Sequence, residues 1–195
     1  MKYLKYFSLI ALYYVLYFYA SSNEQLFRRI RILDIYPYLI VLIILVTTNI
    51  KFLSKRIKFW EVFSHELSHL IFAVLFFRKM TNFVVNEDSG MISYQGKGNW
   101  IISLAPYSMP FITMVLLAFA VVGGYENVTV KLVIIFSYSF YFSRMLQDFS
   151  WSQSDFEKTG LLFSTLWVVG INIIILLVIL FYLQNDINFL LLPLR

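Results

Sequence analysis

The chain has 195 residues, 60% of them hydrophobic and 14% charged, with a net charge of +5, whereas soluble domains run at about 45–50% apolar and about 25% charged. A soluble fold cannot hide that much apolar surface, so lipid is the expected solvent. The absence of cysteine excludes disulfides, thiolate catalysis and cysteine metal sites, and the basic residues, set in short runs between apolar segments, read as membrane flanks and not as a nucleic-acid face.

The first apolar run covers about residues 4–20, behind Lys2 and Lys5. Its core is rich in bulky Tyr and it ends Tyr17–Phe18–Tyr19–Ala20, so it is read as a retained transmembrane helix, with a signal peptide as the competing reading. A polar stretch follows, and then a second run over about residues 35–50, with Tyr36 and Tyr38 as interfacial anchors at one end. Beyond the basic stretch 51–58, a third run over about 59–77 contains His65–Glu66–Leu67–Ser68–His69. The pattern changes at 81–100, where 82–85 and 91–94 read as two short strands and 87–90 supplies the turn. The fourth run, about 100–122, carries Pro106 and Pro110 in its first half, which predicts a kinked or broken entry. A fifth run (about 128–146), a polar loop (147–158) and a last run (160–183) complete the chain. These elements predict an all-α polytopic membrane protein of about six transmembrane or re-entrant helices, with a small β-hairpin insert after the His65–His69 helix. Residues 1–195 are expected to form a single membrane domain: N-terminal helices at 1–58, a core at 59–160 with the strand insert at 81–96, and a final helix and tail at 161–195. Lys and Arg divide evenly between the two sides of a six-span arrangement, so charge does not set the orientation.

His65 and His69 are the only histidines of the chain. Four residues apart on a helix, they lie on one face and both imidazoles can reach one metal ion. Glu66, beside the first, can reach a metal-polarised water and act as general base; zinc permits this at neutral pH by lowering the pKa of water to about 7. The spacing is that of H-E-x-x-H, a zinc metalloprotease signature. A helix that merely happens to carry polar residues is the competing reading, and it is the weaker one inside an apolar run, where ionisable groups are costly and mark function. Glu61, Ser64, His65, Ser68 and His69 fall on one stripe, expected to face the bundle interior or a wet cavity. Glu61 itself reads either as an orienter of a ligand or as an interfacial residue.

A catalytic zinc usually takes three protein ligands plus water. Without a third histidine the remaining ligand is a carboxylate. Glu61, Glu87, Asp88, Asp148 and Asp155 are candidates, Asp155 first and Asp148 second. Asp155 also reads as a helix N-cap for the final run. If the third, fourth and fifth runs all cross fully, Asp155 begins on the opposite side of the membrane from the histidines. Either the proline-broken fourth run is re-entrant, or the loop around Asp155 dips to mid-depth, lined by protein or water.

Here the sequence resembles the site-2 protease class of intramembrane zinc metalloproteases, in its small bacterial peptidase branch. The likeness rests on the His65–His69 motif in a hydrophobic helix, the strand-like Gly90–Met91–Ile92–Ser93–Tyr94, and the apolar Leu104–Ala105–Pro106–Tyr107 entry to the next run, and it covers about residues 59–160. It implies one zinc ion per chain, His65 and His69 as ligands, Glu66 as base, a downstream aspartate ligand, and transmembrane proteins as substrates. In the class that aspartate usually sits in an N-P-D-G or L-D-G setting; this chain has Ser154–Asp155–Phe156 instead. The expected location is a bacterial cytoplasmic membrane. A strand edge, with Phe83, Val85, Met91 and Ser93 as contact residues, could hold an unwound substrate for cleavage; a plain surface hairpin is the competing reading. Two other functions remain open: a non-catalytic zinc-binding sensor or scaffold, and a transporter, though no repeat halves of the kind many transporters carry are visible.

Overall fold

A computed structural model describes residues 2–22, 32–49, 58–87, 89–96, 98–149 and 153–184. The basic stretch before the third run, the end of the tail and Asp88 in the hairpin turn fall wholly or mainly outside these residues. Eight helices and two strands are described: α1 (Lys2–Ser22), α2 (Ile32–Thr48), α3 (Lys58–Leu75), β1 (Met80–Val85), β2 (Gly90–Tyr94), α4 (Trp100–Ser108), α5 (Phe111–Val122), α6 (Val128–Asp148), α7 (Ser154–Thr159) and α8 (Leu161–Leu183).

Among the described residues the six-span expectation is not confirmed. By length and composition α6 and α8 can cross a membrane, and α4 with α5 gives a third span if the bent pair is counted as one. The apolar stretches of α1 and α2, Tyr3–Phe18 and Asp34–Thr48, are shorter. The motif helix α3 carries Lys58, Glu61 and Glu66 within its 18 residues, a charge load that is costly for a helix facing lipid.

The fourth run breaks where its prolines predict. α4 starts on Asn99, whose side chain accepts the Ile102 N–H at 2.9 Å. It ends at Ser108, and α5 leaves at an angle of 71° after the Met109–Pro110 break. Phe111 N–H turns back to the Met109 carbonyl at 2.8 Å, which leaves the Tyr107 carbonyl without its helical partner. The Tyr141 hydroxyl at 2.7 Å and the Asn172 amide at 2.9 Å donate to it instead. Irregular backbone inside an apolar bundle persists when side chains re-satisfy the freed groups in this way.

β1 and β2 form an antiparallel hairpin with Asn82 opposite Ser93, Phe83 opposite Ile92 and Val85 opposite Gly90. It docks on α3, where Phe83 meets Phe63 edge-on at 6.1 Å. One buried cluster joins α2, α5, α6 and α8 through Ile35, Ala120, Ile134, Tyr138 and Ile179. A second, of Leu104, Tyr107, Met145, Phe156, Phe163 and Val168, ties α4 to α6, α7 and α8 and forms the floor beneath the polar stripe of α3.

Candidate active site

Two histidines one turn apart on α3 are fixed by different neighbours. His69 Nδ1 lies 2.7 Å from the Ile102 carbonyl. A carbonyl only accepts, so Nδ1 carries the proton and Nε2 keeps a free lone pair. The sequence explains why that carbonyl is available. In a helix the Ile102 carbonyl would receive the N–H of residue 106, but residue 106 is proline inside α4 and has none to give. Pro106 therefore opens the acceptor that sets the tautomer of His69.

His65 meets its neighbour through the same ring nitrogen. Its Nδ1 lies 3.6 Å from Asp148 Oδ2, and its ring stands edge-on to Tyr107 at 5.4 Å and to His69 at 5.0 Å. Nε2 faces the opposite way, 3.9 Å from Asp155 Oδ2, and the same oxygen is 3.4 Å from His69 Nε2. One ligand atom from each of His65, His69 and Asp155 lies within 4.8 Å of the others.

Asp155 is brought there by α7, a six-residue helix too short to hold itself together in isolation. Its anchor is Phe156, fully buried and packed edge-on against Tyr107 at 4.9 Å and Phe149 at 5.2 Å. The chain leaves α7 for α8 through Gly160 at φ +92, a conformation that glycine adopts without steric cost. Asp155 lies in the first turn of α7 and not at its cap, which is Gln153. α4 packs against both α3 and α7, so the short piece before the proline break bridges the motif and the acid. Burial pushes the Asp155 carboxyl up, but hydrogen bonds and charge from His65 and His69, when both rings carry a second proton on Nε2, outweigh it and hold the group well below the usual carboxylate range. It is an anion at neutral pH.

Glu66 stands on the wall of a cavity of about 780 Å³ that His65, His69 and Asp155 also line. The start of β2 presses against it: a Cβ at Gly90 would overlap Glu66 Cγ and sit 2.8 Å from Cδ. A glycine is required there for the strand to approach the carboxylate so closely. Of the four residues expected to contact substrate, Met91 lines this cavity, together with Gly90, Ile92 and Tyr94 of the same strand. Phe83, Val85 and Ser93 are not among its lining residues, and Phe83 is turned onto Phe63.

The remaining acids separate by position. Asp148 approaches the far nitrogen of His65 and stands outside the three-residue group. It is gripped by Arg144 Nη2 at 2.9 Å, while Arg144 Nη1 holds Glu61 at 2.9 Å. Glu61 is 4% exposed and is buried against Arg144. Arg144 is absent from the sequence-based candidates, yet the signal was there: an arginine within the fifth apolar run is itself a mark of function or of a buried partner.

The family model described as Peptidase M50B-like matches residues 36–194. No curated protein and no solved structure matches the chain. The match spans most of the sequence and contains the helices that carry His65, Glu66, His69 and Asp155, so the chain belongs to the Peptidase M50B-like family of site-2 protease-type metallopeptidases and is a membrane protein.

Proposed function

We propose that this protein is an intramembrane zinc metalloprotease that hydrolyses peptide bonds within or next to transmembrane segments of substrate proteins, in a bacterial cytoplasmic membrane. The observation that carries the reading is the convergence of His65, His69 and Asp155 on one point, beside the Glu66 carboxylate and open to a cavity. The donor set fits zinc. A tetrahedral ion with bonds of about 2.0–2.2 Å keeps its ligands roughly 3.3–3.6 Å apart, and the two histidine nitrogens lie 3.4 and 3.9 Å from Asp155 Oδ2. Two neutral imidazoles and one carboxylate leave a fourth position free, the arrangement of catalytic rather than structural sites.

Zinc bound there supplies a Lewis acid that makes water nucleophilic at neutral pH and polarises the peptide carbonyl. Glu66 takes the proton of the attacking water and delivers it to the leaving amine. His65 and His69 are kept in ligating orientation by Asp148 and the Ile102 carbonyl. Metal content by mass spectrometry on detergent-purified protein tests the ligand set. Wild type is expected to hold about one zinc per chain. His65→Ala and Asp155→Ala are expected to come through purification without it, Asp155→Ala keeping only a weak two-histidine affinity that titration with added zinc still reads. Asp148→Ala is expected to keep the ion with about 10–100-fold weaker affinity. Zinc retained in Asp155→Ala and lost in Asp148→Ala would exchange the roles of these two acids.

A peptide bond in a helix is shielded by its own hydrogen bonds, so the substrate must be extended at the site. Strand β2 offers a template for this. Gln95 N–H bonds to the Lys79 carbonyl, and Asn86 N–H to the Ser89 carbonyl. The alternation of an antiparallel ladder then turns the N–H groups of Ile92 and Tyr94 away from β1. Both residues line the cavity. Ile92→Pro removes one outward N–H while sparing the ladder. It is expected to slow cleavage at least about tenfold, the loss of roughly one well-placed hydrogen bond, with zinc content unchanged. Undiminished cleavage would remove strand addition from the mechanism.

A further inference from the structure

The matched region begins at residue 36, yet a residue of α1 reaches the catalytic cavity. Lys5 is part of its wall, with Lys158 and Thr159. Its ammonium donates to the Thr159 carbonyl at 2.7 Å, at the last residue of α7. The Thr159 hydroxyl donates in turn to the Asp155 carbonyl at 2.7 Å and is bonded to the Ser164 hydroxyl of α8. Lys5 Nζ also stands 3.7 Å from the position a Cβ would take at Gly160, the corner residue between the two helices.

α1 is itself tightly seated on α8. Leu12 packs so close to Gly170 that a Cβ there would lie 2.8 Å from Leu12 Cδ2. The Tyr13 hydroxyl donates to the Leu166 carbonyl at 3.0 Å, and Tyr6 meets Phe163 edge-on at 6.1 Å. The Lys5 ammonium lies 5.1 Å from the ring centres of both Tyr6 and Phe163, where cation–π attraction adds to its hold. α7 is therefore pinned at two points. Phe156 fixes its first turn to α4, and Lys5 fixes its last carbonyl, that of Thr159, where a cation is favoured by the helix dipole.

We propose that α1 is a strut of the metal centre: through Lys5 it fixes the Thr159–Gly160 corner and so positions Asp155 toward the two histidines. Lys5 is a positioning residue that acts through Asp155, and the proposal rests on the zinc reading of the site. Displacing α7 by a fraction of an ångström moves the carboxylate and leaves His65 and His69 in place, so the effect is on zinc affinity rather than on the existence of the site.

The test is zinc affinity, measured by chelator competition on the full chain in detergent, for wild type, Lys5→Met, Lys5→Arg, Asp155→Ala and the double variant Lys5→Met/Asp155→Ala. Tyr13→Phe serves as control for a general loosening of α1, and Lys5→Gln replaces Lys5→Met if the latter does not fold. Lys5→Met is expected to bind zinc about tenfold more weakly, and Lys5→Arg within about threefold of wild type, since its guanidinium still donates to the carbonyl. Tyr13→Phe is expected to match wild type. In the Asp155→Ala background Lys5→Met is expected to add nothing, because a residue that acts through Asp155 has nothing left to position. Wild-type affinity in Lys5→Met, or the same further loss with and without Asp155, overturns the strut and leaves the metal site standing. A wild-type chain that takes up no zinc overturns the metal site and the strut together.

Discussion

Glu66→Gln is expected to abolish cleavage while leaving zinc in place. The substitution keeps the size and shape of the side chain, so its tight contact with Gly90 and the packing of β2 survive. It removes the basic carboxylate. General acid–base catalysis of this kind contributes about 10²–10⁴ in rate, or about 3–5 kcal/mol of barrier, and both proton transfers assigned to Glu66 are lost together. His65, His69 and Asp155 are untouched, so metal content and affinity are expected to stay within about twofold of wild type. Cleavage of a model transmembrane substrate in proteoliposomes, with zinc measured on the same preparation, separates three cases. Loss of cleavage with zinc retained is the protease. Cleavage that persists removes Glu66 as base and moves the search to another proton acceptor on the cavity wall. A wild-type chain that binds zinc without cleaving any membrane substrate, in the same way as Glu66→Gln, is the sensor or scaffold.

The helices of this protein were legible because its apolar runs are bounded by charge. The run read at 128–146 and the helix Val128–Asp148 differ by two residues, and the last run ends with its helix at Leu183. The hairpin was legible for another reason: β-branched and aromatic residues flank a turn cluster at 87–90. The break in the fourth run followed from Pro110. What Pro106 does did not, since a missing N–H reveals its use only when the partner of the freed Ile102 carbonyl is in place. The six-span count is not confirmed among the described residues, since apolar content records burial without saying whether lipid or protein does the burying. α3 is apolar on most sides, yet Glu61 and His69 are buried in the bundle. α7 was hidden in a polar loop: six residues with two acids in the first turn carry no periodic signal. Its place beside the histidines depends on Phe156 finding Tyr107, a contact between residues 49 positions apart by their numbers.

Arg144→Met is expected to cost about 2–4 kcal/mol of stability and to weaken zinc binding as well. One guanidinium serves two carboxylates, Nη1 to Glu61 and Nη2 to Asp148, each at 2.9 Å; lysine cannot reproduce such a fork. Removing it strands Glu61, 4% exposed, with Asp148 nearby in the same network. Breaking a buried pair from one side typically costs about 3–5 kcal/mol. The expected figure here is lower because Asp148 is 24% exposed and water screens part of the loss. Freed from Arg144, Asp148 no longer holds His65 Nδ1 in a fixed direction, and a fall of about tenfold in zinc affinity follows. Glu61→Gln tells the two effects apart. The double variant Arg144→Met/Glu61→Gln no longer carries the stranded charge and is expected to regain most of the stability, whereas zinc affinity, which runs through Asp148, is expected to stay low. Thermal unfolding in detergent reads the first quantity and chelator competition the second. Recovery of both in the double variant would place Glu61, and not Asp148, on the path from Arg144 to the metal site.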